Sequence, residues 1–236
     1  MSLPVAILCG GLGTRLYPLT QNRPKALVEI AGEAFIAHQL RLLRRSGIAE
    51  AVLCLGHYSD MVLDYVGDGR RFGLAVECSV DGPELLGTAG ALKKALPLLG
   101  AEFFVMYGDS YLPCDYQTVE RRFHGSGKQA LMTVFRNEGR WDHSNVELSD
   151  SGSICVYDKK NSTPQMRHVD YGLGVFRAAA FDRVPAKRSY DLADLYRELL
   201  RGGELSAYEV KERFYEVGSF DGIEELTALL SLQAKR

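Results

Sequence analysis

Residues 9–27, CGGLGTRLYPLTQNRPKAL, place three glycines, two arginines and a lysine between two apolar runs. Gly10, Gly11 and Gly13 let a backbone approach a ligand closely, so that N–H groups can face anionic oxygens. Arg15 adds a planar fork of donors that matches phosphate, and Pro24 stiffens the chain just before Lys25. Two fixed cations beside an amide cradle suit a triphosphate. The two commonest phosphate loops do not fit: a dinucleotide fingerprint needs its third glycine where Leu16 stands, and the chain has no GxxxxGK[ST]. A tight turn with solvated charges is the plain alternative, since a lone GxG says little. Against it stand the interleaved Leu16, Pro18, Leu19 and Leu27, which should tack the loop onto a sheet.

Such a loop needs a strand before it and a sheet beneath it. Apolar runs at 4–8, 51–56, 74–80 and 102–109 read as buried strands. Between them, 34–47, 58–69 and 87–100 repeat their apolar residues at helical spacing, the first ending in a basic turn with Gly47 at C′. His38 belongs to that helix. Strands alternating with helices predict an α/β fold, a parallel sheet covered on both faces. The second half predicts a small antiparallel extension, from strands at 130–136, 144–160 (turning at 149–153) and 169–177. Helical periodicity returns at 191–203 and 219–236. With no repeat or linker, 1–236 reads as one domain.

Composition narrows the classes. The chain has 236 residues, 46% hydrophobic and 25% charged, with a net charge of −2, which lacks the basic footprint of a nucleic-acid binder. The N-terminus shows no charged leader and no run approaches membrane-spanning length, so the expectation is a cytoplasmic protein without a membrane partner. Cys9, Cys54, Cys78, Cys114 and Cys155 never form CxxC and read as buried thiols.

The loop stands as GGLGTRLYPLTQNRPKAL and resembles GGxGTRLxPLTxxxPKxL, the signature of the sugar-1-phosphate nucleotidylyltransferases. The likeness continues through LLGTAGAL (85–92), YGDS (107–110), YDKK (157–160), DYGLGVF (170–176) and FYEVGSFDGIEEL (214–226). It implies a Rossmann-like, GT-A-type three-layer sandwich serving as a catalytic domain. The implied reaction is attack by a sugar 1-phosphate on the α-phosphate of an NTP, with Mg²⁺, releasing pyrophosphate. In the closing segment Glu216 stands where the family commonly has aspartate. With LGTAG, the EVGSF form resembles most the D-glycero-D-manno-heptose 1-phosphate guanylyltransferases.

The resemblance also implies roles. Leu8, Gly10, Gly11, Gly13 and Thr14 would cradle the nucleotide, Arg15 would stabilise the leaving pyrophosphate, and Lys25 would bridge the α-phosphate to the acceptor. Gly87 and Thr88 would face base and ribose, although both also suit a helix cap. Asp109 and Glu216 would hold Mg²⁺. Asp109 could instead cap a turn, and Glu216 could pair with Lys211 or Arg213. Lys159 would hold the sugar phosphate, strand alternation pointing only one of Lys159 and Lys160 inward. Asn145, Asp170 and Gly172 would face the sugar, near Trp141 and His143. An anionic nucleophile needs no general base, in keeping with a motif without histidine. The alternatives are uridylyl or cytidylyl transfer to another acceptor (N-acetylmuramate 1-phosphate, mannose 1-phosphate, phosphocholine) and a non-catalytic nucleotide-sugar sensor. Monomer and homodimer both stay open.

Overall fold

Apolar runs alternating with amphipathic segments fold into a sheet with helices on both faces, in a computed structural model that describes residues 2–82, 84–185 and 188–233. β1 (Val5–Leu8) feeds the glycine-rich loop. After the small hairpin of β2 (Glu29–Ile30) and β3 (Glu33–Ala34), α1 (Phe35–Arg45) leads to β4 (Glu50–Leu55). α1 ends in a Schellman motif: Gly47, at φ +86°, donates its N–H to Arg44 O, and Ile48 donates to Leu43 O. α2 (Ser59–Val66) leads to β5 (Ala75–Val80), and α3 (Gly87–Leu99) to β6 (Glu102–Tyr107). These four strands run parallel in the order β5-β4-β1-β6. The order reverses between β1 and β6, and at such a switch point the crevice beyond the carboxyl ends receives ligands.

The antiparallel extension follows. β7 (Ser110–Tyr111) and α4 (Tyr116–Ser126) precede β8 (Ala130–Arg136), then β9 (Val146–Leu148) and β10 (Ile154–Tyr157) form a hairpin turning at 149–153. β11 (His168–Arg177) runs antiparallel to both β6 and β8. α5 (Leu192–Arg201) returns the chain to β12 (Leu205–Val210), which lies parallel to β8. β13 (Tyr215–Glu216) pairs with β7, and α6 (Phe220–Gln233) closes the described chain. The helix expected over 219–236 thus covers Phe220–Gln233, and 234–236 lie outside the described residues. Sequence patterning did not find α4 or β12. α4 buries only Tyr116, Val119 and Phe123 and is set by Asp115, whose side chain accepts the Thr118 N–H at 3.1 Å.

Strand alternation separates two cores. Val5, Ile7, Phe104 and Met106 face α1, α2 and α4, whereas Ala6, Phe103 and Val105 face α3 and α5. A third cluster, Leu16, Val28, Ile30, Phe35, Leu42, Tyr111, Val217, Leu226 and Leu230, joins the glycine loop to α1 and α6.

Candidate active site

Three glycines bring the strand ends together. A Cβ on Gly108 would lie 2.4 Å from Leu8 O, and one on Gly56 would lie 2.8 Å from Gly10 O. Neither approach tolerates a side chain. Gly13, at φ +65°, turns the loop into a short 3₁₀ segment at Thr14–Leu16, and Thr20 Oγ1 donates to Gly13 O at 2.7 Å. Leu16 is fully buried in the third cluster. The residue that excludes a dinucleotide fingerprint is therefore the loop's anchor. Leu27 packs partly against the α1 face of the sheet, but Pro18 and Leu19 are exposed and anchor nothing, contrary to expectation.

Beneath the loop lies a cavity of about 270 Å³, reached by Leu8, Gly10, Gly11, Gly13, Lys25, Asp109, Gly87 and Thr88. It sits at the switch point between β1 and β6. Lys25 Nζ lies 3.0 Å from Asp109 Oδ2, so the first loop's lysine meets the aspartate that follows β6. Thr14 is exposed and stands outside the lining. Gly87 and Thr88 have a structural duty as well. Gly87 sits at φ +73° with no room for a Cβ beside Tyr190 O (2.7 Å), and Thr88 Oγ1 accepts the Leu192 N–H at 2.7 Å. Both lock α3 to the start of α5 while lining the cavity.

The register of β13 on β7 brings Glu216 beside Asp109: Glu216 pairs with Ser110, and Val217 donates its N–H to Asp109 O at 2.8 Å. Arg15 joins them from the loop, since a Cβ on Gly218 would lie 3.0 Å from Arg15 Nη2 and 3.4 Å from Glu216 Oε1. Lys211 and Arg213 do not pair with Glu216, because Lys211 bonds Glu209 and Arg213 bonds Glu225. Burial raises the Glu216 carboxyl, as do the charges of Asp109 and Asp142, against Arg15 and Lys25. Among the described residues no three His, Cys, Asp or Glu side chains converge on a metal position. Two neighbouring carboxylates, with the Asp109 charge helping to raise the Glu216 carboxyl, do suit Mg²⁺, which takes one or two carboxylates together with substrate phosphates.

Lys159 reaches the cavity lining at Tyr107. Its Nζ lies 3.1 Å from Tyr107 Oη and 3.2 Å from Asp170 Oδ2, whereas no side-chain bond reaches inward from Lys160. Asp170, with a side chain only 2% exposed, also accepts from Tyr157 Oη (3.1 Å) and Tyr107 Oη (3.3 Å). Burial, and then the Asp170 charge, raises both phenols, so both remain donors. Asn145 Oδ1 accepts the Asp170 N–H at 2.9 Å, which leaves the amide N–H groups for another acceptor. Gly172, at φ +94° in a bulge of β11, donates to Asp170 Oδ1 and passes close to Tyr107. His143 is exposed on the neighbouring loop. Tyr107 lines the 270 Å³ cavity, so the Lys159 network and the glycine loop share a wall.

One cavity residue escaped the sequence reading. Asp81, at the end of β5, accepts the Leu86 N–H through Oδ2 at 3.2 Å, while Oδ1 is buried without a partner. Burial raises its carboxyl above the ordinary range. Its only sequence signal is a position just before LLGTAG. Cys9 and Cys54 also reach the cavity, the Cys54 thiol pushed up to about 12, chiefly by burial. Of the thiols expected to be buried, Cys78 is half-buried and Cys155 is exposed on β10.

A mostly parallel α/β sheet with a glycine-rich loop at its switch point, and two cations and two carboxylates gathered beside it, defines a protein of the Rossmann-like class. The chain belongs to the nucleotidyl transferase family, whose model matches residues 5–231. It is similar to a mannose-1-phosphate guanylyltransferase catalytic subunit beta of Xenopus tropicalis (30% identity, 90% of this chain, 60% of that protein). It is also similar to a UTP–glucose-1-phosphate uridylyltransferase of Synechocystis (28% identity, 88% of this chain, 58% of that protein). The chain thus spans about 60% of the length of these relatives. The crystal structure of HddC from Yersinia pseudotuberculosis shares the fold at TM-score 0.80 and 21% identity, over 97% of this chain and 99% of that one. That protein was also solved in complex with GMP-PN. Among the described residues no helix is long and apolar enough to cross a membrane.

Proposed function

We propose that residues 1–236 form one catalytic domain that transfers a nucleotidyl group from an NTP to a sugar 1-phosphate. The observation that carries this reading is that Lys25 and Asp109 meet in the cavity lining with Arg15 and Glu216 close to Asp109, while Tyr107 of the same lining holds Lys159. An acceptor phosphate oxygen attacks the α-phosphorus, the bond from that phosphorus to the β-phosphate oxygen breaks, and pyrophosphate leaves. The nucleophile is already anionic, so the chain's task is to align two anions and neutralise charge on the leaving group. The N–H groups of Gly10, Gly11 and Gly13 face the triphosphate, and Lys25 bridges the α-phosphate and the acceptor. Arg15 stabilises the departing pyrophosphate, and Lys159, oriented by Asp170, holds the acceptor phosphate. Asp109 and Glu216 would hold Mg²⁺, which supplies Lewis-acid neutralisation of phosphate oxygens when bound.

For the base, Asp81 favours GTP. Guanine presents N1–H and N2–H₂ as adjacent donors, an edge that suits a carboxylate with an unpartnered oxygen, whereas cytosine and adenine offer one donor beside an acceptor. The GMP-PN complex of a structural neighbour agrees with this choice. For the acceptor, the EVGSF segment points to D-glycero-D-manno-heptose 1-phosphate. The test is pyrophosphate release with Mg²⁺, crossing five NTPs against heptose, mannose, glucose, N-acetylglucosamine and N-acetylmuramate 1-phosphates and phosphocholine. Release is expected to require one NTP and one acceptor and to fall about 10²- to 10³-fold in Arg15→Ala. Nucleotide binding with silence across the grid would favour the sensor reading.

A further inference from the structure

The chain's only tryptophan, Trp141, lies on the loop 137–144, which precedes Asn145 on the acceptor side. That loop is built around buried Asn137, whose Oδ1 accepts the Trp141 N–H at 3.2 Å and whose amide donates to Asp142 O and to Ser144 Oγ. Trp141 itself is 40% exposed; its ring packs against Phe135, 5.6 Å between ring centres, and the Arg213 guanidinium lies over it 4.8 Å from the ring centre, nearer than Arg140 at 6.0 Å. The same guanidinium lies 4.9 Å from the ring of Tyr215, the residue before Glu216 on β13, and bonds Glu225 of α6. Arg213 Nε is buried and makes no hydrogen bond, so the two rings, and not a polar partner, hold that edge of the side chain. Arg213 serves no phosphate and no candidate metal ligand directly. Its contacts join three elements that the proposed reaction uses separately: the acceptor-side loop, the strand carrying Glu216, and the helix that packs beneath the glycine loop.

We propose that Arg213 is a positioning residue, and that its stack between Trp141 and Tyr215 couples the placement of the 137–144 loop to that of Glu216. A cation gathered by Asp109 and Glu216 then biases the acceptor-side loop, and an acceptor that orders the loop strengthens cation binding by the same factor, because coupling between sites is reciprocal. This rests on the reading of Asp109 and Glu216 given above. It does not depend on which base or sugar is used.

Trp141 reports on its own neighbour. The experiment titrates the full chain with Mn²⁺, following free Mn²⁺ by electron paramagnetic resonance and Trp141 emission in parallel, in the native protein, Arg213→Met and Arg213→Lys. The expected result is an emission change that tracks Mn²⁺ binding in the native protein. In Arg213→Met, binding weakens about 5- to 10-fold and the emission response is lost, at an unchanged circular dichroism spectrum. Arg213→Lys keeps the charge and recovers part of the response, which guards against reading misfolding as uncoupling. Mn²⁺ binding with flat emission in the native protein, or with the same response in Arg213→Met, overturns the coupling and leaves the metal reading intact. No Mn²⁺ binding in the native protein overturns both.

Discussion

Asp81→Asn separates base recognition from folding. The native carboxylate, on a residue that lines the cavity, has one oxygen on the Leu86 N–H and one buried without a partner. Its folded-state carboxyl is raised by burial, so its ionised form lowers the stability of the empty protein at neutral pH. The amide is isosteric and uncharged, keeps an oxygen for Leu86, and so leaves the melting temperature unchanged or higher. Towards guanine it replaces an acceptor by a donor. A hydrogen bond to a charged group contributes about 1.5–3 kcal/mol. The kcat/KM for GTP is therefore expected to fall about 10- to 150-fold, at roughly tenfold per 1.4 kcal/mol. In the native protein ITP, which lacks the 2-amino group, is expected to lie between GTP and UTP. The assay is pyrophosphate release with GTP, ITP, UTP and dTTP on both proteins, with thermal melts alongside. An unchanged GTP rate, or an equal fall for every base, would refute the assignment of Asp81 to the base.

Leu16→Ala tests whether the loop is anchored as its burial indicates: deleting a fully buried leucine should cost about 2–5 kcal/mol, seen in denaturant unfolding. The same change at exposed Leu19 should cost under ~0.5 kcal/mol. Glu216 gives a pH dependence of definite sign. Its carboxyl is raised in the folded protein, chiefly by burial, so between the ordinary carboxylate value and its raised value the folded chain holds a proton that the unfolded chain has released. Metal-free stability from this group therefore falls as pH rises through that window, whereas Mg²⁺ affinity falls as pH drops through the raised value. Glu216→Gln should flatten the first dependence in thermal melts at several pH values and weaken Mg²⁺ binding in calorimetry. A metal-free melting curve with the same pH slope in both proteins would count against it.

What could be read from the sequence follows a physical division. β1, β4 and β6 were legible because a strand buried on both faces is a continuous apolar run, the edge strand β5 because it alternates around buried Val76, and α1 carries its own stop signal at Gly47. β12 was not, because LSAYEV is short and alternates weakly, and its parallel pairing with β8 requires α5 to bring it there. The 149–153 turn announced its hairpin, whereas α4 has too few apolar residues to declare a face. Strong apolar patterning was readable, whereas a helix held by a local cap and a strand placed by long-range pairing were not.

The site divides in the same way. Gly10, Gly11, Gly13, Arg15 and Lys25 lie within one stretch, so their joint chemistry is a property of spacing. Glu216 depends on a two-residue ladder: its Cα pairs with that of Ser110 while Val217 bonds back to Asp109. The backbone fixes where its carboxylate starts, and the longer side chain alters only the reach. Asp170 shows how a pattern can name a residue but not its task. The sequence placed it against the sugar, whereas its carboxylate is engaged by Tyr107, Tyr157, Lys159 and the Gly172 N–H. A carboxylate so occupied positions the Lys159 ammonium, while Asn145 accepts the Asp170 N–H through Oδ1 and keeps its amide N–H groups free of β11. Asp81 was invisible for the converse reason. Its chemistry lies in a missing hydrogen bond, which only the packed cavity reveals.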